Sequence, residues 1–461
     1  NHQHRISSAT PDPDLRSRKV RTVKKTPHAL VIGGLVALAL TACSSGGTGT
    51  TAQKDVDLSD VDYSGTVSVI TRYAGAYEGF FQQMKADFEA EHPDVTIELQ
   101  QESDQGYKDK IKTLTASQSL PDVYFSWAGN YAEQFYDNGV VQDLTSVIGS
   151  GTEWGDTLAP SAVGAFTKDG KTYGIPFGLD AKFMVYNEKM FADAGATVPT
   201  DLDSLLETCS TLSAAGLTPM SFGNVDGWPA LHFITQLNSY NVPAKTLADD
   251  YKPDTATFEN PGYVDSLEQF SEIVDQCTTT GASANGSDYY SQRDAFGAGA
   301  SAMFYVENLE FGATVPEGSQ AEQDGWNIFK LPVPADAAGD TGALTGAPDG
   351  FLVNPKAENL PLAVEFMRFV TDKKNAETLT TMLNIPSPVV GSLTESNSTP
   401  QLRESIDQLQ DASSLSIWLD TVTVPDVADA YLSGVEGLIA GDKTPEQVMD
   451  AVKAASEQAK G

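Results

Sequence analysis

Histidine is scarce in this chain, with 5 in 461 residues, and its placement excludes several chemistries. His2, His4 and His28 precede the one apolar run near the start, which leaves His92 and His232 for the rest of the chain. There is no His-x-x-x-His or Cys-x-x-Cys pair to hold a metal ion, so neither metal nor cofactor is expected. A Ser-His-Asp triad could recruit only His232, because Glu91-His92-Pro93-Asp94 reads as a surface turn. Carboxylate chemistry is the only common hydrolytic route left open.

Basic residues are also short. The chain has 29 Lys and Arg against 63 Asp and Glu, a formal net charge of −34. Seven of those bases lie before residue 43, so the remainder carries 61 acids against 22 bases. No continuous basic patch is available to grip phosphates, and nucleic acid is not expected as a partner. A neutral solute suits this charge, and a cationic one is permitted. Long apolar runs are lacking as well: the stretch 29–42 falls short of the ~20 residues a membrane-spanning helix requires.

What is present near the start has a definite order. Arg16, Arg18, Lys19, Arg21, Lys24 and Lys25 precede the apolar run, small residues follow, and then comes Cys43 with a Gly-, Ser- and Thr-rich stretch behind it. Residues 1–42 read as a lipoprotein-type signal peptide with a long n-region, and 43–64 as a lipidated cysteine and flexible tether. Leu40-Thr41-Ala42-Cys43 resembles a bacterial lipobox, which implies a diacylglyceryl group on Cys43, anchoring to the cell membrane and an extracytoplasmic location. At ~0.8 kcal/mol per buried methylene, one acyl chain holds a protein only marginally, so two or three are needed on that cysteine. An ordinary cleaved signal with an incidental cysteine is the alternative.

Only Cys209 and Cys277 remain beyond that point. Each closes an apolar helical face, Leu202, Leu205, Leu206, Cys209 in one segment and Val264, Leu267, Phe270, Ile273, Val274, Cys277 in another. They are read as a disulfide across two packed helices, with two buried free thiols as the other possibility.

The length after the leader exceeds what a single core supports, so two domains are expected. Thr66–Ile70 and Val95–Leu99 alternate as strands around a helical stretch from Gly79 to Glu91, and a further helix leads to an apolar strand at Val123–Phe125. Strand, helix, strand, helix, strand with short turns predicts a mainly parallel sheet. The middle is helix-dominated, with a capping-box start at 199–203 and helices over 229–237 and 261–277. Strands follow near 302–306, 326–331 and 351–354, and Thr444-Pro445-Glu446-Gln447 opens the last helix.

These elements resemble the solute-binding proteins of ABC importers, specifically the sugar-binding cluster that includes the maltose binders. The likeness is carried by Phe80 to Val95, Pro121-Asp122-Val123, Gly174 to Phe191, Phe296 to Met303 and Gly350-Phe-Leu-Val353. It implies a two-lobed α/β periplasmic-binding-protein fold with crossing hinge strands and a ligand cleft between the lobes. The N-terminal lobe would take 65–178 plus 344–386, and the C-terminal lobe 179–343 plus 387–461. Crossings would fall near 178–179, 341–343 and 386–388.

A sugar site needs planar hydrogen-bonding groups and aromatic faces, placed on loops that follow strand ends. Tyr77 and Glu78 after the first strand, and Trp127 after the third, are candidates by that rule. Asp180 stands where the resemblance puts an acidic sugar contact. Trp228 opens a helix in Asp226-Gly-Trp-Pro-Ala230, and Asp349 lies in a Gly346-Ala-Pro-Asp-Gly350 loop. Where relatives carry Gly-x-Trp after the Ala-Met strand, this chain has Glu307 and Asn308, so a stacking platform is replaced by polar groups. The expected function is a non-enzymatic, monomeric receptor that captures a carbohydrate, read as an oligosaccharide, and hands it to importer permease subunits. The other readings are a receptor for a peptide or polyamine and, more remotely, a secreted glycoside hydrolase using a carboxylate pair such as Glu78 and Asp180.

Overall fold

The computed structural model describes residues 53, 55–279 and 281–460. The signal segment, Cys43 and the first part of the tether lie outside the described residues. Among the described residues no helix is long and apolar enough to cross a membrane.

Eight strands build the two main sheets. They are β1 (Gly65–Thr71), β2 (Val95–Gln101), β3 (Val123–Trp127), β4 (Gly174–Gly178), β5 (Lys182–Asn187), β6 (Met303–Glu307), β7 (Trp326–Phe329) and β8 (Asp349–Val353). The first sheet runs β2-β1-β3-β8-β4. Its β1 pairs in parallel with β2 and β3, while β8 runs antiparallel to both β3 and β4. The sheet is therefore mainly parallel, as the alternating strands and helices predict. The second sheet is β6-β5-β7, antiparallel throughout.

Each sheet has its own core. Phe80, Phe81, Met84 and Phe88 form one face of helix α1 (Glu78–Glu91) and pack with Phe125, Phe177 and Phe351 in the first. The second gathers residues from α3 (Leu202–Ala214), α4 (Trp228–Asn241) and α5 (Gly262–Cys277). Every residue of α4 is buried, so it runs through the middle of its lobe and not along the surface. The start of α3 is a capping box between Asp201 and Ser204. Cys209 on α3 and Cys277 on α5 are joined by a disulfide, with Cα atoms 5.0 Å apart.

The chain passes between the lobes three times. The first passage is 179–181, between β4 and β5. The second lies between Leu344, which packs in a core of the C-terminal lobe, and Ala347, which packs in the first core. The third follows Val389, still in the first core, and precedes Leu393. Hydrogen bonds hold the first passage in place: Leu179 N–H donates to the Pro386 carbonyl, and Ala181 bridges to Gly346 in the second passage. Gly346 is required here, because a Cβ would stand 2.3 Å from the Asp180 carbonyl oxygen.

The later part of the tether is docked. Val56 is buried in the first core, Gln53 Nε2 donates to the Val141 carbonyl, and Asn359 Nδ2 donates to the Asp62 carbonyl. Composition concealed this, since one apolar residue and backbone hydrogen bonds do the fixing.

Candidate functional site

The space between the lobes is a small cavity of about 20 Å³ to which both lobes contribute. That is room for about one water molecule, so a solute enters only when the lobes move apart. From the N-terminal lobe come Arg72, just past β1, and Trp127, at the end of β3. Asp104 and Lys108 come from the first turns of α2 (Asp104–Ala116), which Ser103 caps by accepting from Gly106 N–H. The other lobe supplies Trp228 and His232, one turn apart on α4, with Glu307 at the end of β6. Tyr290, from α6 (Tyr289–Gly297), Asp420 and Thr421 complete its wall, Trp418 lines the cavity while packing with the first core, and Asp180 enters from the first passage.

Strand register creates the charge pairs. Lys182 and Glu307 are cross-strand partners on β5 and β6, which brings Nζ to 3.1 Å from Oε1 with both side chains buried. Asp349 on β8 pairs with Trp127 on β3 and accepts from Arg72 Nη2 at 2.6 Å and from the Tyr73 hydroxyl at 2.8 Å. Arg72 also reaches Asp104 at 3.4 Å. Lys108 lies 3.5 Å from Asp104 and 3.4 Å from Asp420, so this last pair joins the two lobes.

The rings are already engaged on one side. The Lys108 ammonium is 4.9 Å from the Trp127 ring centroid and the Lys182 ammonium 5.4 Å from that of Trp228. His232 stacks on Trp418 at 4.3 Å and sets Nδ1 3.3 Å from Glu307. Burial, then the positive charge of Lys182, hold the imidazole below its usual pKa, which keeps it neutral at pH 7. Burial alone would raise the Glu307 carboxyl, but Lys182 and His232 pull it well below the usual range. Asp180 behaves oppositely: burial first, then the charges of Glu307 and Asp349, push its pKa well up.

Some polar atoms at the cavity have no partner. Asp180 Oδ1, Asp420 Oδ1 and Trp228 Nε1 are buried without a hydrogen bond inside the protein. These acceptors and this donor are thus open to a molecule bound in the cavity, which three tryptophans help to line.

Of the residues singled out from sequence, the structure brings Trp127, Asp180, Trp228 and Glu307 together around the cavity. Asp349 stands behind Arg72 and orients it. Asn308 is buried and clamps the first passage, accepting from Ala181 N–H at 3.0 Å and donating to Ser405 Oγ at 3.1 Å. Tyr77 borders a separate groove lined in part by Thr380–Asn384, and its hydroxyl reaches Glu310 at 3.4 Å. Glu78 is exposed at the start of α1 and does not line the cavity. Arg72 sits in the same post-strand loop as Tyr77, and Asp104 follows β2, so the strand-end rule reaches both. His232, Trp418 and Asp420 are joined only by tertiary packing and leave no local pattern.

Two α/β lobes with crossing strands, and an interlobe cavity walled by indoles and hydrogen-bonding charges, define a solute-binding receptor. The chain belongs to the bacterial extracellular solute-binding protein family, whose profile matches residues 83–405. An ABC transporter extracellular-binding protein of Pyrococcus horikoshii is 26% identical over 239 residues, 50% of this chain and 55% of that one. The chain thus spans about half the length of that relative. The diacetylchitobiose binding protein DasA of Streptomyces coelicolor is 31% identical over 136 residues, 29% of this chain and 30% of its own length. In structure, a chitin oligosaccharide binding protein superposes with a TM-score of 0.78 at 20% identity, covering 87% of this chain and 100% of the other.

Proposed function

We propose that this protein is the receptor of an ABC importer that captures a carbohydrate, read as an oligosaccharide, outside the cytoplasm and delivers it to the permease. The observation that carries this reading is the set of unpartnered groups, Asp180 Oδ1, Asp420 Oδ1 and Trp228 Nε1, on residues that line one cavity with Trp127 and Trp418. Hydroxyls of a sugar ring supply the missing donors and acceptors, and its apolar faces fit against indole. Binding of carbohydrate by relatives supports the same ligand class. Solute touching both lobes shifts the open and closed populations by its differential affinity, which is the working step and involves no bond cleavage.

A thermal-shift screen against mono- and oligosaccharides tests this: a ligand at a hundred times its Kd raises stability by about 2.7 kcal/mol. Trp228→Ala should weaken the ligand so found, and Asp180→Ala should cost ~1.5–3 kcal/mol of binding, about a ten- to hundredfold rise in Kd by calorimetry. Wild-type affinity in Asp180→Ala, or the absence of any sugar that stabilises the protein, refutes the assignment.

Anchoring through a lipid on Cys43 belongs to the same proposal. Cys43→Ser should move the native protein from the membrane fraction to the soluble one or leave an uncleaved precursor. An unmodified Cys43 in the mass spectrum of mature native protein overturns it.

A further inference from the structure

Five carboxylates at or beside the cavity share three cations, and one of the five has no cation beside it. Asp104, Asp420, Glu307 and Asp349 each have a cation within 3.5 Å, supplied by Arg72, Lys108 or Lys182. Asp180 has none: among the described residues no Lys, Arg or His forms an ion pair with it, and no donor reaches its Oδ1. It is 3% exposed and lines the cavity, so the missing partner has to come from within that space. The three cations are committed to other carboxylates, and His232 is neutral.

A buried carboxylate without a counter-charge is among the most expensive arrangements in a protein, and proteins avoid it by pairing or neutralising the group. With the cavity empty, the raised pKa of Asp180 favours its neutral form, and a cation beside its unpartnered Oδ1 would restore the charged one. Hydroxyls return part of the lost hydration. A protonated amine returns more, because its hydrogen bond to carboxylate is charge-assisted and about twice as strong as a neutral one. We infer that the solute is an amino sugar with a free, protonated amine, and that Asp180 holds that amine when the lobes close. This inference rests on the carbohydrate reading above and narrows it to one substrate class. The indole walls favour a ring over a linear polyamine, since a flexible chain has no flat face to offer them.

The test compares matched sugars that differ in a single substituent, by calorimetry in slightly acidic buffer. Glucosamine is set against glucose, galactosamine against galactose, and chitosan oligosaccharides against both N-acetylated chitin oligosaccharides and cello-oligosaccharides of equal length, with spermidine as a separate arm. The free-amine member of at least one set should bind tenfold or more tightly than its hydroxyl and N-acetyl counterparts. In Asp180→Asn that ratio should fall to within about threefold of unity, a change that mere loosening of the fold would not produce. If neutral members bind as well as or better than amines in every set that binds, the inference fails while the carbohydrate receptor stands. Binding of spermidine alone, or of nothing in the panel, overturns both. The wild-type comparison decides the matter even if Asp180→Asn does not fold.

Discussion

Glu307→Ala is expected to destabilise the protein by about 3–5 kcal/mol, the usual consequence of leaving one member of a buried ion pair alone. Lys182 is 1% exposed and cannot turn to water when its partner is removed. What would remain to it is the Tyr289 hydroxyl at 3.3 Å and the ring faces of Trp228, Tyr289 and Tyr305. His232 loses its carboxylate neighbour at the same time. Glu307→Gln keeps the shape and an acceptor, so it should lose less than alanine and rank between it and wild type. The pH dependence follows from the depressed carboxyl. Its stabilising contribution is complete above the ordinary glutamate range, and it is lost only as pH falls through the lowered folded value in strong acid. Urea denaturation of the three proteins measures the ranking. Alanine within about 1 kcal/mol of wild type would mean that water or rearrangement already screens Lys182.

The sequence shows the ends of that strand pair but not their meeting. Alternation marks β1 and β2, and the apolar spacing of Phe80, Phe81, Met84 and Phe88 marks α1, because both are local periodicities. Trp127 can be nominated because it follows a strand, and Asp180 because the family resemblance puts an acidic contact at its position. Lys182 could not, since a lysine at the head of an apolar strand gives no sign that its partner is more than a hundred residues away. Glu307 stands out in the sequence only as a departure from a family pattern, and the register of β5 against β6 explains its role. Glu78 and Tyr77 show the limit of the strand-end rule: the 3-10 turn Gly75–Tyr77 rotates the chain, so that one side chain faces water and the other a different groove. Trp418 and His232 stack although 186 positions separate them, and no local feature of either predicts it.

Removing the disulfide with Cys209→Ala and Cys277→Ala together is expected to lower stability by about 4 kcal/mol, the loop-closure value for a span of 68 residues. The double variant avoids a stray thiol and swaps each cysteine for a small apolar residue in a site that is fully buried. The segment between the two cysteines includes α4, and with it Trp228 and His232. The bond therefore closes the loop that carries one indole wall of the cavity. Within the folded state α4 is held by burial along its whole length, independently of the bond. The loss should appear as a lower melting temperature, while affinity measured well below that temperature stays within about threefold of wild type. Reductant added to folded protein should free neither thiol for labelling, because neither sulfur is exposed; after unfolding both should label. A double variant that melts with the wild type shows that packing of α3 against α5 alone restrains the loop. One that keeps its melting temperature but loses its ligand shows instead that the bond sets the position of Trp228.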